Sequence, residues 1–358
     1  MVLWGLAGWM EGDTLVTLAG QAGTTALRYP LSDMGFRFAF FYDSIDAKSR
    51  AADIYHYVHA AAAAEHLRTK RILSIGYRDM NLYGTLYEGI SLRKTIGLEV
   101  ENREMLEMVK RSESVARSEI DEVLAYIKKN WNFDTPVDDA VLGTAAAYYR
   151  AVEQMSKEEG YEAVTIIDVD GVKKHLGFPP AAVFMLLTDR TGLCTVPEND
   201  IMGAVTQLIV KELTGQAAAY LEFYEFMSDR VLIGVPDFVP AAVCEGGVRV
   251  TGASFGNLGA GVLNISKVKT GPVTLCRCVF SEGKYYMHLE TGTAVEPRKW
   301  KEAGWDSDIQ LPSLEVILDN PVEEFAKKVC SQHTIIAYGD QRGLIEDYCK
   351  ITGIEIMQ

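Results

Sequence analysis

Short, continuously apolar runs alternate with longer amphipathic segments over the first 215 residues, and the alternation then stops. Ile72-Leu73-Ser74-Ile75, residues 163–167 and residues 192–196 are too brief for surface helices and read as buried strands. Between them, residues 101–131 and 138–160 carry helical spacing. Strands that each feed a helix return in parallel, so this stretch predicts a parallel sheet with helices on both faces. Residues 1–69 read as strand, helix, strand, helix, with residues 38–42 as the second strand and the Ala-rich run 51–68 as the second helix. From residue 216 onward, Gly-rich loops and β-like runs such as Gly271-Pro272-Val273-Thr274-Leu275-Cys276-Arg277-Cys278 take over, and helix is expected only near 321–330 and 344–351. The expected class is therefore α/β. The first domain spans 1–69, a second parallel-sheet α/β domain spans 70–215, and a β-rich α+β domain spans 216–358. A chain of 358 residues that is 48% hydrophobic is long enough for two or three such cores.

The segment Val196-Pro197-Glu198-Asn199-Asp200 joins the third of those strands to a well-defined helix. Ile201, Met202, Val205, Leu208, Ile209 and Leu213 recur at helical spacing, Thr214-Gly215 supplies a left-handed stop, and Asn199 or Asp200 is the N-cap. Glu198 thus stands at the carboxyl end of a strand, where open α/β sheets hold their ligands. Taken alone it also fits a simple partner of the helix dipole. In the next apolar segment, residues 216–226, alternation sets Glu222 opposite Leu221 and Phe223, and a carboxylate there needs a partner. His333 heads Thr334-Ile335-Ile336-Ala337-Tyr338, where a lone histidine fits a structural role as well. Together, two carboxylates and an imidazole can hold a hard divalent cation and leave positions open. Oxygen-rich ligation favours Mn2+ or a similar ion over structural zinc.

Charge and composition exclude several other classes. Lys and Arg total 35 against 49 Asp and Glu, a net charge of −14, which repels nucleic acid and anionic membranes and points to a neutral small molecule with a cation. No apolar run approaches the ~20 residues needed to span a bilayer, and the N-terminus lacks a basic, cleavable signal, so a cytoplasmic protein is expected. The six cysteines are dispersed and read as reduced core thiols. His56, His59 and His66 share a helical stretch that reads as a solvated or packed face, and His175 and His288 are isolated. The Gly-rich run 252–261 has neither GxGxxG spacing in a strand–loop–helix context nor a Walker lysine, which argues against a nucleotide site.

Glu-Asn-Asp, an amphipathic helix closing in Leu-Thr-Gly, an acidic residue on the following strand and a late Gln-His before an apolar strand together resemble the L-fucose isomerase family, with L-arabinose isomerase a more distant relative. Ile72 to Gly76, Met80, Gly84 and Ile96-Gly97-Leu98-Glu99-Val100 look like the start of that family's second domain, and Val2-Leu3-Trp4-Gly5 like a late strand of its first. The resemblance implies that Glu198, Glu222 and His333 take the metal-ligand positions, typically for manganese. It also implies trimers or hexamers in which neighbouring subunits complete each site, and a sugar-lining role for the Gly-rich loop ahead of the strand that carries Thr274 and Arg277. The chain departs from the family at Glu222, where Asp is frequent, in Gly234-Val235-Pro236-Asp237, where some relatives carry His and this chain has Val235, and at Asp168, in a segment where one branch has Gln. Relatives usually carry most of a nucleotide-fold-like domain ahead of the strand matching Val2. This chain starts at that strand, as a late start of a longer protein or as a short form.

The implied activity is that of an aldose–ketose isomerase, an intramolecular oxidoreductase working through an enediolate. A cation on two neighbouring sugar oxygens stabilises the developing charge, and Glu198 or Glu222 moves the proton between carbons. The alternative is a non-catalytic relative that binds sugar or metal. Which sugar is involved is open.

Overall fold

In the computed structural model, which describes residues 1–235, 237–253, 258–304 and 307–357, four parallel strands form the sheet expected for the middle of the chain. Their order is Glu99–Arg103, Arg71–Ile75, Ala163–Ile166 and Cys194–Val196. Ahead of this sheet, Val2–Gly5 pairs in parallel with Ala39–Tyr42, and the helices Gly20–Asp33 and Ala51–Leu67 follow the respective strands. The α/β class with a β-rich part after it is thus the observed architecture.

One element pattern differs from expectation. The helical stretch read over 101–131 is two helices, Met105–Glu113 and Arg117–Asn130, between two strands. The first strand, Glu99–Arg103, is the sheet edge, and its charges pair sideways, with Arg71 and Arg103 both on Glu101. A charged edge strand imitates the polar face of a helix in sequence. The second, Trp131–Phe133, pairs in parallel with Val248–Gly252, about which nothing local in the sequence gives notice.

After residue 216 the chain builds a closed antiparallel ring. Gly271–Ser281 pairs with His333–Tyr338, which pairs with Ala219–Phe226, then Arg230–Gly234, Ser313–Leu318 and Lys284–Val295, and the last returns to Gly271–Ser281. The short strand Glu355–Ile356 adds outside Lys284–Val295. Helix returns at Val322–Lys328 and Arg342–Thr352, as expected. Ser254, Phe255, Gly256 and Asn257, the middle of the Gly-rich run, and Pro236 lie outside the described residues.

What joins the two halves is the helix Ile201–Thr214. It packs on the parallel sheet through Ala163–Ile166 and Cys194–Val196, and on the ring through Gly271–Ser281 and His333–Tyr338. Apolar and small residues therefore surround it, and eleven of its fourteen residues are buried. Asp200 caps it, its side chain accepting the Gly203 N–H, and Gly215 ends it in a left-handed conformation. Alternation in Ala219–Phe226 then sorts its side chains. Tyr220 joins this helix in one apolar cluster, whereas Leu221 enters the other, whose members run from Leu73 to Ile336. Both clusters draw on residues from either side of position 215.

Ring closure depends on close approach at Gly292, which pairs with Leu318. A Cβ there would collide with the Ile317 carbonyl oxygen and lie 3.1 Å from Val316 Cγ1. Gly292→Ala is expected to cost roughly 1–3 kcal/mol, the range for overpacking, read as a lower urea midpoint with an unchanged slope.

Candidate functional site

Glu198 and Asn199 both have positive φ, 61° and 45°, although neither is glycine. Such backbone costs of order 1–3 kcal/mol per residue and persists only where surrounding bonds over-determine it. Here they do. The Glu198 N–H donates to Asp168 Oδ1 at 2.5 Å, and the Asn199 N–H donates to the Ile166 carbonyl at 2.9 Å. The Asn199 amide spans Ser74 Oγ and the Ile75 carbonyl, so two neighbouring strands hold the turn. The result presents the Glu198 side chain, 5% exposed, toward the ring.

On the ring side, Glu222 and His333 are direct cross-strand partners, and Gly234 flanks Glu222 on its other side. His333 Nε2 stands 3.4 Å from Glu198 Oε2, a carboxylate oxygen with no hydrogen-bond partner among the described residues. Behind His333 runs a fully packed network. Asp200 accepts from both Arg277 Nη1 (2.6 Å) and Nη2 (2.9 Å) and from the Tyr220 hydroxyl (2.9 Å). The same hydroxyl lies 2.6 Å from His333 Nδ1, with the two rings stacked 4.3 Å apart. Burial opposes ionisation of Asp200, but the Arg277 guanidinium outweighs it and holds the carboxyl low. With its proton committed to ionised Asp200, the Tyr220 oxygen accepts from Nδ1–H, which leaves Nε2 as a lone pair aimed at Glu198. Burial pushes His333 down to about 3, so the ring stays neutral.

The remaining charges complete the floor. Asp168–Lys173 is a wide π-type turn that brings its two ends together, with Lys173 Nζ 2.9 Å from Asp168 Oδ2. The same ammonium lies 2.8 Å from Oδ1 of Asp237, which follows the ring strand Arg230–Gly234. Burial pushes both carboxyls up, against the pull of the lysine. For Lys173 burial acts downward, but the two carboxylates overcome it and keep the ammonium charged. Burial, then the charges of Asp168, Asp237, Glu222 and Asp200, pushes Glu198 well above the usual carboxyl range. Glu222 rises to about 7 by burial, helped by Glu302 and Asp237. An open groove of about 1000 Å³ lies elsewhere, beside the helix Met105–Glu113, but Arg111, Arg150, Glu153 and Lys157 in its wall already pair with acidic or basic neighbours. Chemistry, not volume, locates the site.

These donors fit a hard divalent cation: an unpartnered buried carboxylate oxygen, a neutral imidazole nitrogen facing it and a second carboxylate on the adjoining strand. Among the described residues no three His, Cys, Asp or Glu side chains already stand in a metal-holding arrangement. The three residues singled out from sequence thus face one region. Asp168, Lys173, Asp200, Tyr220, Asp237 and Arg277 join them without having been assigned this role from sequence. Arg277 and Thr274, on the strand after the Gly-rich loop, are buried, Arg277 on Asp200 and Thr274 between Gly339 and Gln341. His59 bonds the Leu213 carbonyl, His66 pairs with Glu212, and all six cysteines are free.

Raised carboxyls make a prediction for the metal-free protein. A group whose folded pKa exceeds its unfolded value of ~4.3 stabilises fully below that value and loses the contribution as pH rises through the folded one. For Glu222 the loss falls between about pH 4.5 and 7. In chelator, the urea midpoint should drop across that interval, and Glu222→Gln should flatten the drop.

A scan against protein-family models finds no match for this chain, and a search of curated proteins finds no significant relative.

Proposed function

We propose that this chain is a metal-dependent sugar isomerase that interconverts an aldose and a ketose through an enediolate, related to the L-fucose isomerases. The observation that carries the reading is the buried, unpartnered Glu198 Oε2 facing the His333 Nε2 lone pair, with Glu222 as His333's cross-strand neighbour. Glu198, Glu222 and His333 would hold the ion, Mn2+ or one like it. A bound divalent cation supplies Lewis acidity to two adjacent sugar oxygens.

The chain's own groups divide the rest of the work. His333, neutral and fixed by Tyr220, can donate a lone pair but no proton. Glu222, poised near pH 7, can take a proton from one carbon and return it to the next at neutral pH. Glu198 is buried among like charges, so it is ionised only when a cation offsets them, and it then serves as ligand and assisting base. The surplus of carboxylates over Lys173 and Arg277 favours a neutral sugar over an anionic one.

Assembly belongs to the same reading. The helix Gly20–Asp33 buries none of its residues, and Trp4, Trp9, Leu15, Leu27, Tyr29 and Phe36 are exposed around it. Apolar surface on this scale supports burial against further copies, as a trimer or hexamer. No helix among the described residues is long and apolar enough to cross a membrane. The cytoplasmic location expected from the sequence is part of this proposal. Light scattering should report an oligomer at micromolar chain concentration. A monomer that still turns over sugar would refute completion of the site by neighbours.

The deciding experiment is a panel of free aldoses incubated with Mn2+ and with chelator and scored for ketose. Ketose should form only with metal, and metal should raise the melting temperature, since a ligand of the folded state stabilises it. Glu198→Gln should lower turnover by at least ~10²-fold. It should leave apo stability equal or higher, because it removes one of several crowded carboxylates. Metal binding without ketose from any aldose would favour the non-catalytic alternative, and near-normal turnover in Glu198→Gln would remove that residue from the chemistry.

A further inference from the structure

Lys173 is a rare kind of lysine: 5% exposed, with its ammonium between two carboxylates that are themselves all but inaccessible. Asp168 comes from the end of a parallel strand and Asp237 from the ring, so the ammonium bridges the two halves of the fold. Its contacts of 2.9 and 2.8 Å, to one oxygen of each acid, are the contacts of a small cation bridging two carboxylates. Asp168 spends its other oxygen on the Glu198 N–H. Lysine is therefore no surface charge folded inward. It is the counter-ion that makes a pair of buried acids tolerable, since two bare carboxylates at this depth would each be penalised by desolvation.

We propose that Lys173 is a built-in cation holding the place of a second divalent ion, and that Asp168 and Asp237 form a cation site that the ammonium keeps filled. The inference stands on this bridge and not on the isomerase reading. Three consequences follow from charge and geometry. Removing the ammonium while keeping the side-chain length leaves two facing carboxylates that take up a divalent ion from solution. Replacing lysine by arginine keeps the site filled. Removing one of the acids along with the ammonium abolishes the uptake, because a single carboxylate is not a bridge.

Equilibrium dialysis against Mn2+, counting bound metal per folded chain, tests this on Lys173→Met, Lys173→Arg and the double variant Lys173→Met/Asp237→Asn. Lys173→Met is expected to bind one Mn2+ more than the unaltered protein, Lys173→Arg no more, and the double variant to lose the extra ion. Folded Lys173→Met with the same number of ions as the unaltered protein overturns the proposal. Should Lys173→Met fold poorly, circular dichroism with and without Mn2+ decides. Recovery of the fold on adding Mn2+ supports a cation site, and failure to recover at saturating Mn2+ while Lys173→Arg folds overturns it. The metal count is independent of turnover. A chain that makes no ketose yet gains an ion in Lys173→Met sinks the isomerase reading alone, and an active isomerase whose count does not change sinks this one alone.

Discussion

One buried carboxylate, that of Asp200, ties together parts of the chain that are otherwise far apart. It receives the Gly203 N–H at the start of the central helix, the Tyr220 hydroxyl from one ring strand and both terminal nitrogens of Arg277 from another. Arg277 in turn reaches the Gly84 carbonyl, and Tyr220 reaches His333. A charge at this depth is stable only while all these donors are in place, and losing one partner of a buried pair costs about 3–5 kcal/mol. The glycine at 203 belongs to the same constraint. A Cβ there would stand 2.9 Å from Asp200 Oδ2, 3.0 Å from Arg277 Nη1 and 2.8 Å from Tyr220 Cε2. The left-handed turn at Glu198 and Asn199 is thus anchored immediately downstream by the most heavily bonded residue of the region.

Neighbouring carboxyls are treated in opposite ways by this arrangement. Asp200 has an arginine and stays low, whereas Glu198, two residues earlier, has only like charges around it and rises. Glu222, less deeply enclosed, is pushed up to about 7. Sorting of this kind sets a fixed anion beside carboxyls that hold their protons more tightly, the division of labour on which the proposed chemistry rests.

Local pattern carried much of this into the sequence. The helix Ile201–Thr214 and its cap were legible because its apolar spacing and the Thr214-Gly215 stop depend on nothing distant. Glu198, Glu222 and His333 were legible as polar residues in apolar settings, a conflict that any buried site creates. Lys173 was not, because in Asp168-Val169-Asp170-Gly171-Val172-Lys173-Lys174 it reads as one more solvated charge. Its burial depends on the π-type turn and on an acid 64 positions away. The role of Arg277 was not legible either, since only the fold reveals that Asp200 is within its reach. Closure of the ring was equally invisible, because the cross-strand pairing of Ala219–Phe226 with His333–Tyr338 joins segments separated by a hundred residues of chain.

The near-absence of a polar face on the central helix bears on how the chain reaches this state. As synthesis proceeds from the N-terminus, the parallel sheet is complete once Cys194–Val196 has emerged, and it can shield one side of the helix. The other side stays bare until His333–Tyr338 is made and paired, since that strand and Gly271–Ser281 are what cover it. For the time it takes to translate the intervening stretch, on the order of ten seconds or more at ~5–20 residues per second, the nascent chain displays a helix whose ring-facing apolar side is uncovered. That interval is a window in which the exposed apolar face can associate with the wrong partner.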